Sequence, residues 1–328
     1  MHSIRRIVVA IRDPQARSQP ALIKAAQLAE GLGARLHLFN ALTEPLYLGP
    51  YLDSQGALID LEARVKARTI ERLQRLAQRL RGGAGGKRLR VVLATEWDAP
   101  AYEAVLRYAR NVRADLIVAE AHHGRRFMPL LHFNDWELLR RSPLPVLLVK
   151  RPGRYVRPAV LAAIDPPDIP HRKAGLDDSI LSISSNIADA LHGQVECVHG
   201  YEAVPSGRGW HDALDVETAA ALNRQLAASA KAPFEALLRR YQIPKTRGHL
   251  LGLPAAEAIE RTARSTRSAI VTLGVLARHG WRRLLIGRTA QVLLDRIDAD
   301  LLVVKPVDFN VAIARRPSGP SYVPVTTP

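Results

Sequence analysis

The sequence predicts an α/β protein built from two tandem open parallel-sheet domains of five strands each. Three observations lead there. Short apolar runs alternate with amphipathic segments of ten or more residues, the pattern of parallel strands joined by right-handed helical crossovers. The apolar runs show no alternation with polar residues, as in strands covered on both faces by helices. The whole order then occurs twice. Leu116-Ile117-Val118 matches Ile270-Val271-Thr272 at an offset of 154, the Val146 to Lys150 run matches Leu301 to Lys305 at 155, and Asp13-Pro14 matches Asp165-Pro166 at 152. A nearly constant offset along a complete strand–helix order marks a duplicated domain of about 150 residues.

In the first copy, the apolar run Ile7 to Ile11 is a strand that ends at Asp13-Pro14. From Gln19 to Gly33, Leu22, Ile23, Ala26 and Leu28 recur at helical spacing, and glycines close the helix. Arg35 to Phe39 is the second strand. A loop with Pro45, Gly49 and Pro50 leads into a long amphipathic helix from about Gln55 to Leu80, stopped by Gly82-Gly83-Ala84-Gly85-Gly86. Its Arg64, Arg68, Arg72, Arg75 and Arg79 form a charged, solvated face. Leu89 to Leu93 is a strand, Pro100 to Val112 a helix, Leu116 to Ala119 a strand, Phe133 to Arg141 a helix and Val146 to Val149 the last strand.

The second copy repeats this order. Val160 to Ile164 is a strand, Asp177 to Leu191 a helix, and Val195 to His199 a strand after Gly193. The helix from Val216 to Tyr241 is expected to be perturbed at Pro233, because proline removes a helical hydrogen bond and clashes with the preceding turn. Leu250-Leu251, a helix from Pro254 to Arg267, the strand Ala269 to Leu273 and a final strand near Leu301 complete it. The domains are thus set at residues 1–151 and 152–306, with 307–328 as a Pro-rich disordered tail.

With 328 residues, each copy can bury an ordinary core. The formal charge is +16, but its arginines are scattered over helices with no basic tail, so nucleic acid is not the expected partner. The single cysteine, Cys197, excludes an intrachain disulfide and fits a reducing compartment. The opening MHSIRRIVVAIRDP has an apolar run too short for a signal peptide or a membrane span, so a cytoplasmic protein without a membrane partner is expected.

Ligands of open parallel sheets bind beyond the carboxyl ends of the strands. In the second copy those ends carry Asp165, His199-Gly200 and Gly274. A helix starting near Gly287-Arg288-Thr289 aims backbone N–H groups at the same region, with Thr289 able to cap it or donate to a phosphate, and Arg278, His279 and Arg288 add donors. The set suits a nucleotide-like anion. No G-x-S-x-G elbow, Walker A sequence or G-x-G-x-x-G fingerprint is present. His122, His123 and His132 near Asp135, and Cys197 with His199, lack a recognised ligand spacing, and no metal site is expected from them.

These features resemble the universal stress proteins. The resemblance rests on the two βαβ-rich halves, the strand-terminal Asp165, and Gly274-x-x-Ala277 followed nine residues later by Gly287-Arg288-Thr289. The duplication is similar to the tandem, E-type members, and it implies an adenine nucleotide alpha hydrolase-like, Rossmann-like fold. In that family a G-x-x-G, nine residues, G-[ST] motif wraps the triphosphate of ATP, and the strand-end Asp holds the adenosine end. The resemblance therefore implies Asp165 at the adenosine end, Val198 offering backbone to the base, and Gly274, Ala277, Gly287, Arg288 and Thr289 at ribose and phosphates. ATP is the implied ligand, with Mg²⁺ accompanying it as the only metal.

Two positions depart from the motif. Ala277 replaces a glycine and brings a Cβ to the place where backbone approaches a phosphate, and Arg288 stands where a small hydroxyl residue is usual, although a guanidinium can itself bind phosphate. At an offset of 154 the first copy sets Glu120, His123, Phe133 and Asp135 opposite Gly274, Ala277, Gly287 and Thr289. Two carboxylates repel a polyanion, so the first domain is expected to hold a degenerate site without nucleotide. The expected function is a non-catalytic stress-response module with a nucleotide cleft in its second domain. The alternatives are a binding module for an apolar or acyl-bearing ligand, and an enzyme that transfers a phosphoryl group or hydrolyses ATP. The resemblance further implies an intramolecular pseudo-dimer, in which Val146 to Val149 associates with Leu301 to Val304.

Overall fold

The computed structural model describes residues 3–43, 46–48, 55–82, 89–121, 133–166, 175–204, 216–275, 292–293, 296–306, 309 and 322–324. The first copy comprises β1 (Arg6–Ala10), α1 (Pro20–Leu32), β2 (Arg35–Leu42), β3 (Leu46–Leu48), α2 (Gln55–Gly82), β4 (Arg90–Trp97), α3 (Ala101–Asn111), β5 (Leu116–Glu120), α4 (Phe133–Arg141) and β6 (Val146–Val149). The second comprises β7 (Ala159–Ala163), α5 (Gly175–Ala190), β8 (Gln194–Gly200), α6 (Val216–Arg240), β9 (Gly248–Leu251), α7 (Ala255–Ser265), β10 (Ile270–Gly274) and β11 (Asp300–Val304), and β12 (Tyr322–Pro324) lies near the C-terminus. The chain divides into two compact units. One contains Ser3–Arg154 together with Asn310–Pro328, and the other contains Tyr155–Phe309.

The first unit is a parallel sheet in the order β4-β2-β1-β5-β6. The second has the corresponding order β9-β8-β7-β10-β11, also parallel throughout. In each, the chain runs outward from the first strand in one direction, then returns to its other side. That reversal creates a switch point between β1 and β5 in one unit and between β7 and β10 in the other, and leaves a crevice beyond the strand ends there.

Burial follows from the unbroken apolar runs. Ile7, Val8 and Val9 of β1, Leu116, Ile117 and Val118 of β5, and Val160, Leu161 and Ala162 of β7 have no exposed surface. Their helices cover both faces. α1 opens on Pro20, whose missing N–H costs nothing at a helix start, and closes on Gly33 at φ +64°, a left-handed cap that only glycine adopts without strain. At the start of β11 the fully buried Asp300 accepts a 2.5 Å hydrogen bond from the Tyr155 hydroxyl.

Three features depart from the expectation. β4 extends to Trp97, well past Leu93, because it pairs along its full length with an equally extended β2. α6 continues through Pro233, where Ala230, Phe234 and Leu238 are buried and tertiary packing outweighs the missing hydrogen bond. Within the segment expected as a disordered tail, Tyr322–Pro324 is a strand paired in parallel with β3, so residues of the expected loop and of the tail meet. Among the described residues, no helix is long and apolar enough to cross a membrane.

Candidate functional site

At the switch point of the second unit, Asp165 follows β7 and Gly274 ends β10. The Asp165 side chain is 87% exposed, so its carboxylate lies in solvent and not in the core. Its backbone is held in place from two directions. The Asp165 N–H donates to Asp177 Oδ1 at 3.0 Å, from the first turn of α5, and His199 at the end of β8 sets Nδ1 3.2 Å from the Ile164 carbonyl. The same nitrogen lies 3.8 Å from Asp165 Oδ1, while the ring stacks on Phe234 at 6.2 Å. Burial raises the pKa of Asp177 above the ordinary carboxylate range. The Asp165 N–H opposes the rise, as does His199, whereas the Asp165 carboxylate adds to it.

Gly274 is closely packed by side chains of α5. A Cβ there would come within 2.6 Å of Leu176 Cδ2 and 3.0 Å of Ile180 Cδ1, so α5 lies directly against the end of β10. Val198 is buried, and its carbonyl already accepts the Ile164 N–H at 3.0 Å. The structure thus brings Asp165, Val198 and Gly274 together at one switch point, with Asp177 and His199 supporting them. Ala277, Gly287, Arg288 and Thr289 lie outside the described residues. Asp177 is the residue that sequence reasoning missed. Its signal was an acidic pair, Asp177-Asp178, in the first turn of a helix that follows a strand-end loop. Cys197 is fully buried, which pushes its thiol up to about 12 and keeps it protonated.

The first unit uses the same scaffold with other side chains. The Ile11 N–H donates to the Phe39 carbonyl as the Ile164 N–H does to Val198, and Asn40 Nδ2 holds the Ile11 carbonyl at 2.8 Å where His199 approaches that of Ile164. Because Ala10 pairs with Phe39 and Ala163 with Val198, the register sets Arg12, and not Asp13, opposite Asp165. The Asp13-Pro14 match is therefore one residue out of structural register. Asp13 instead makes a turn, its Oδ1 accepting the Gln15 N–H at 2.8 Å. Glu120 does stand opposite Gly274, since Ala119 pairs with Ala10 as Leu273 does with Ala163. A cavity of about 860 Å³ lies at this switch point, lined by Arg12, Asp13, Phe39, Tyr102, Glu120, Asp135 and Lys150 among others. The carboxylates of Asp13, Glu120 and Asp135 line it together with the cations of Arg12 and Lys150.

The model of the universal stress protein family matches residues 3–150 and, a second time, residues 160–305. Along nearly its whole length the chain is similar to Universal stress protein E of Escherichia coli K12, with 24% identity over 310 residues that cover 93% of this chain and 96% of the relative. Among solved structures it resembles a Pseudomonas aeruginosa PAO1 protein described as functionally unknown, with TM-score 0.67, 22% identity and coverage of 93% and 94% of the two chains. A universal stress protein from Archaeoglobus fulgidus gives TM-score 0.60 at 12% identity, covering 92% and 97%. These two likenesses speak to the fold alone.

Proposed function

Since the chain belongs to the universal stress protein family, as a tandem member with both domains matched, we propose that it is a non-catalytic stress-response module. Its second domain binds an adenine nucleotide, and its first does not. The observation that carries this reading is the asymmetry of the two switch points. The second presents an exposed Asp165 carboxylate beside the small Gly274, and the first presents Arg12 and Glu120 on the same backbone positions.

In this reading Asp165 accepts hydrogen bonds from the adenosine end, and Val198 offers backbone to the base. Gly274, Ala277, Gly287, Arg288 and Thr289 face ribose and phosphates, with Arg288 supplying a charge-assisted pair in place of a hydroxyl. Mg²⁺ accompanies the triphosphate, and the module works in the cytoplasm. Titration calorimetry with MgATP is the test. Wild type is expected to release heat with a dissociation constant below about 1 mM, equivalent to about 4 kcal/mol of binding. Asp165→Ala and Gly287→Glu are each expected to weaken binding at least tenfold, and ATP recovered after incubation is expected to be intact. Absence of heat from wild type up to the millimolar range overturns the nucleotide assignment, and steady ADP release overturns the non-catalytic one.

A further inference from the structure

α2 carries a feature that the strand-end cleft does not use. Arg68, Arg72, Arg75 and Arg79 fall at i, i+4, i+7 and i+11, which places them on one face within about 60° and over roughly 16 Å of helix. This face lies about 100° round the helix from the buried stripe of Thr69, Leu73, Leu76 and Ala77, at the flank where the Pro14-Gln15 loop passes. The loop and the four arginines line an open cleft of about 550 Å³, to which Glu71 contributes the only acidic side chain among the described residues.

Opposite charge is scarce there. Glu71 reaches Arg75 only at 3.9 Å with both side chains exposed, a geometry that contributes little. Arg68, Arg72 and Arg79 form no ion pair among the described residues. Arg72 has a polar neighbour: with the Gln15 amide oriented so that its oxygen faces the helix, that oxygen lies against the face of the Arg72 guanidinium, within 3.0 Å of its nitrogens. The turn made by Asp13 fixes Gln15 in turn. One guanidinium thus rests against the loop while Arg68 and Arg79 on either side are solvated and without a carboxylate partner among the described residues. A face that only needed solubility would carry mixed charges, as the Asp60–Arg64 end of the same helix does. α2 contains no aromatic residue on which a nucleobase would stack, so the recognised chemistry is the anion itself.

We propose that the flank of α2 and the Pro14-Gln15 loop bind a chain of linked phosphates, at a site separate from the strand-end crevice of the second domain. Guanidinium forks suit phosphate oxygens in bidentate geometry, and several of them along one line suit several phosphates more than one. The cleft's size is that of a small-molecule site.

The probe is inorganic tripolyphosphate, titrated into the full chain by calorimetry at fixed ionic strength, with orthophosphate in parallel. Tripolyphosphate is expected to bind at least tenfold more tightly than orthophosphate. Arg68→Ala/Arg79→Ala, both at exposed positions, is expected to weaken it tenfold or more, and Gln15→Ala about threefold through loss of the loop's contact with Arg72. Gly287→Glu is expected to leave it unchanged. MgATP added to the Gly287→Glu protein separates the sources of the phosphate chain: residual binding lost with the double arginine variant assigns a nucleotide's phosphates to the same cleft, and no residual binding restricts the cleft to free oligophosphate. Unchanged affinity in the double variant overturns the proposal, as does loss of tripolyphosphate binding in Gly287→Glu. Binding of duplex DNA without binding of tripolyphosphate overturns it as well. None of these outcomes depends on whether Asp165 holds an adenosine.

Discussion

Asp177 shows how one buried carboxylate ties the candidate site to stability. It is 8% exposed, it accepts the Asp165 N–H, and the groups that face it are Asp165, Asp178 and His199. Its folded pKa lies above the ordinary value, chiefly because burial disfavours the charged form. The folded protein therefore holds a proton that the unfolded chain has already released, and the stability associated with Asp177 is present at low pH and lost as pH rises through the raised folded pKa. Asp177→Asn keeps an oxygen acceptor for the Asp165 N–H and removes the titration. Compared with wild type, its denaturant midpoint is expected to improve progressively across that window and then stay level at neutral pH. Parallel pH profiles for the two proteins would show that Asp177 is charged at no stability cost. His199 and Asn40 support the reading from the other side. In both units a polar side chain at the same strand position holds the carbonyl that precedes the switch-point residue, which fixes where that residue points.

At the scale of the element, α3 is tied to the end of β4 by a single arginine. Arg107 reaches Asp98 through Nε at 2.8 Å and through a terminal nitrogen at 2.5 Å, and Glu103 through the other at 3.1 Å, with its own side chain only 16% exposed. Arg107→Ala leaves two largely buried carboxylates without their main cation. It is expected to destabilise by about 2–3 kcal/mol, somewhat below the range for a fully buried pair, as read from urea denaturation. A loss below about 0.5 kcal/mol would show the pair to be solvent-screened. The strands and helices themselves were legible in the sequence because apolar runs and helical spacing are local signals. What was not legible depended on partners far along the chain. β4 is long because β2 is, α6 crosses Pro233 because its inner face is packed, and Tyr322–Pro324 is a strand because Leu46–Leu48 offers an edge. The Asp13-Pro14 match misled by one residue for the same reason. Identity in sequence was strongest at 152, while the strand register, set by pairing with β2 and β8, puts Arg12 opposite Asp165.

For the whole molecule, duplication supplies two copies of one scaffold, and on the proposed reading the side chains at the switch points decide which of them takes a nucleotide. Both crevices have the same strand order and the same pinned carbonyl. They differ in the charged groups around the crevice, since the first carries Arg12, Asp13, Glu120, Asp135 and Lys150 around its cavity where the second shows Asp165 and Gly274. On the proposed reading the three carboxylates of the first crevice outweigh its two cations and disfavour a polyanion. One MgATP per chain is therefore expected, and not two. The measurement belongs in the Arg68→Ala/Arg79→Ala protein, so that phosphate held by α2 does not enter the stoichiometry. In that background Asp165→Ala is expected to remove the single site, whereas Glu120→Gln is expected to leave both stoichiometry and affinity unchanged, because Glu120 belongs to the crevice that holds no nucleotide. Two sites per chain, or an affinity that responds to Glu120 and not to Asp165, would move the nucleotide to the first domain and reverse the asymmetry on which the functional reading stands.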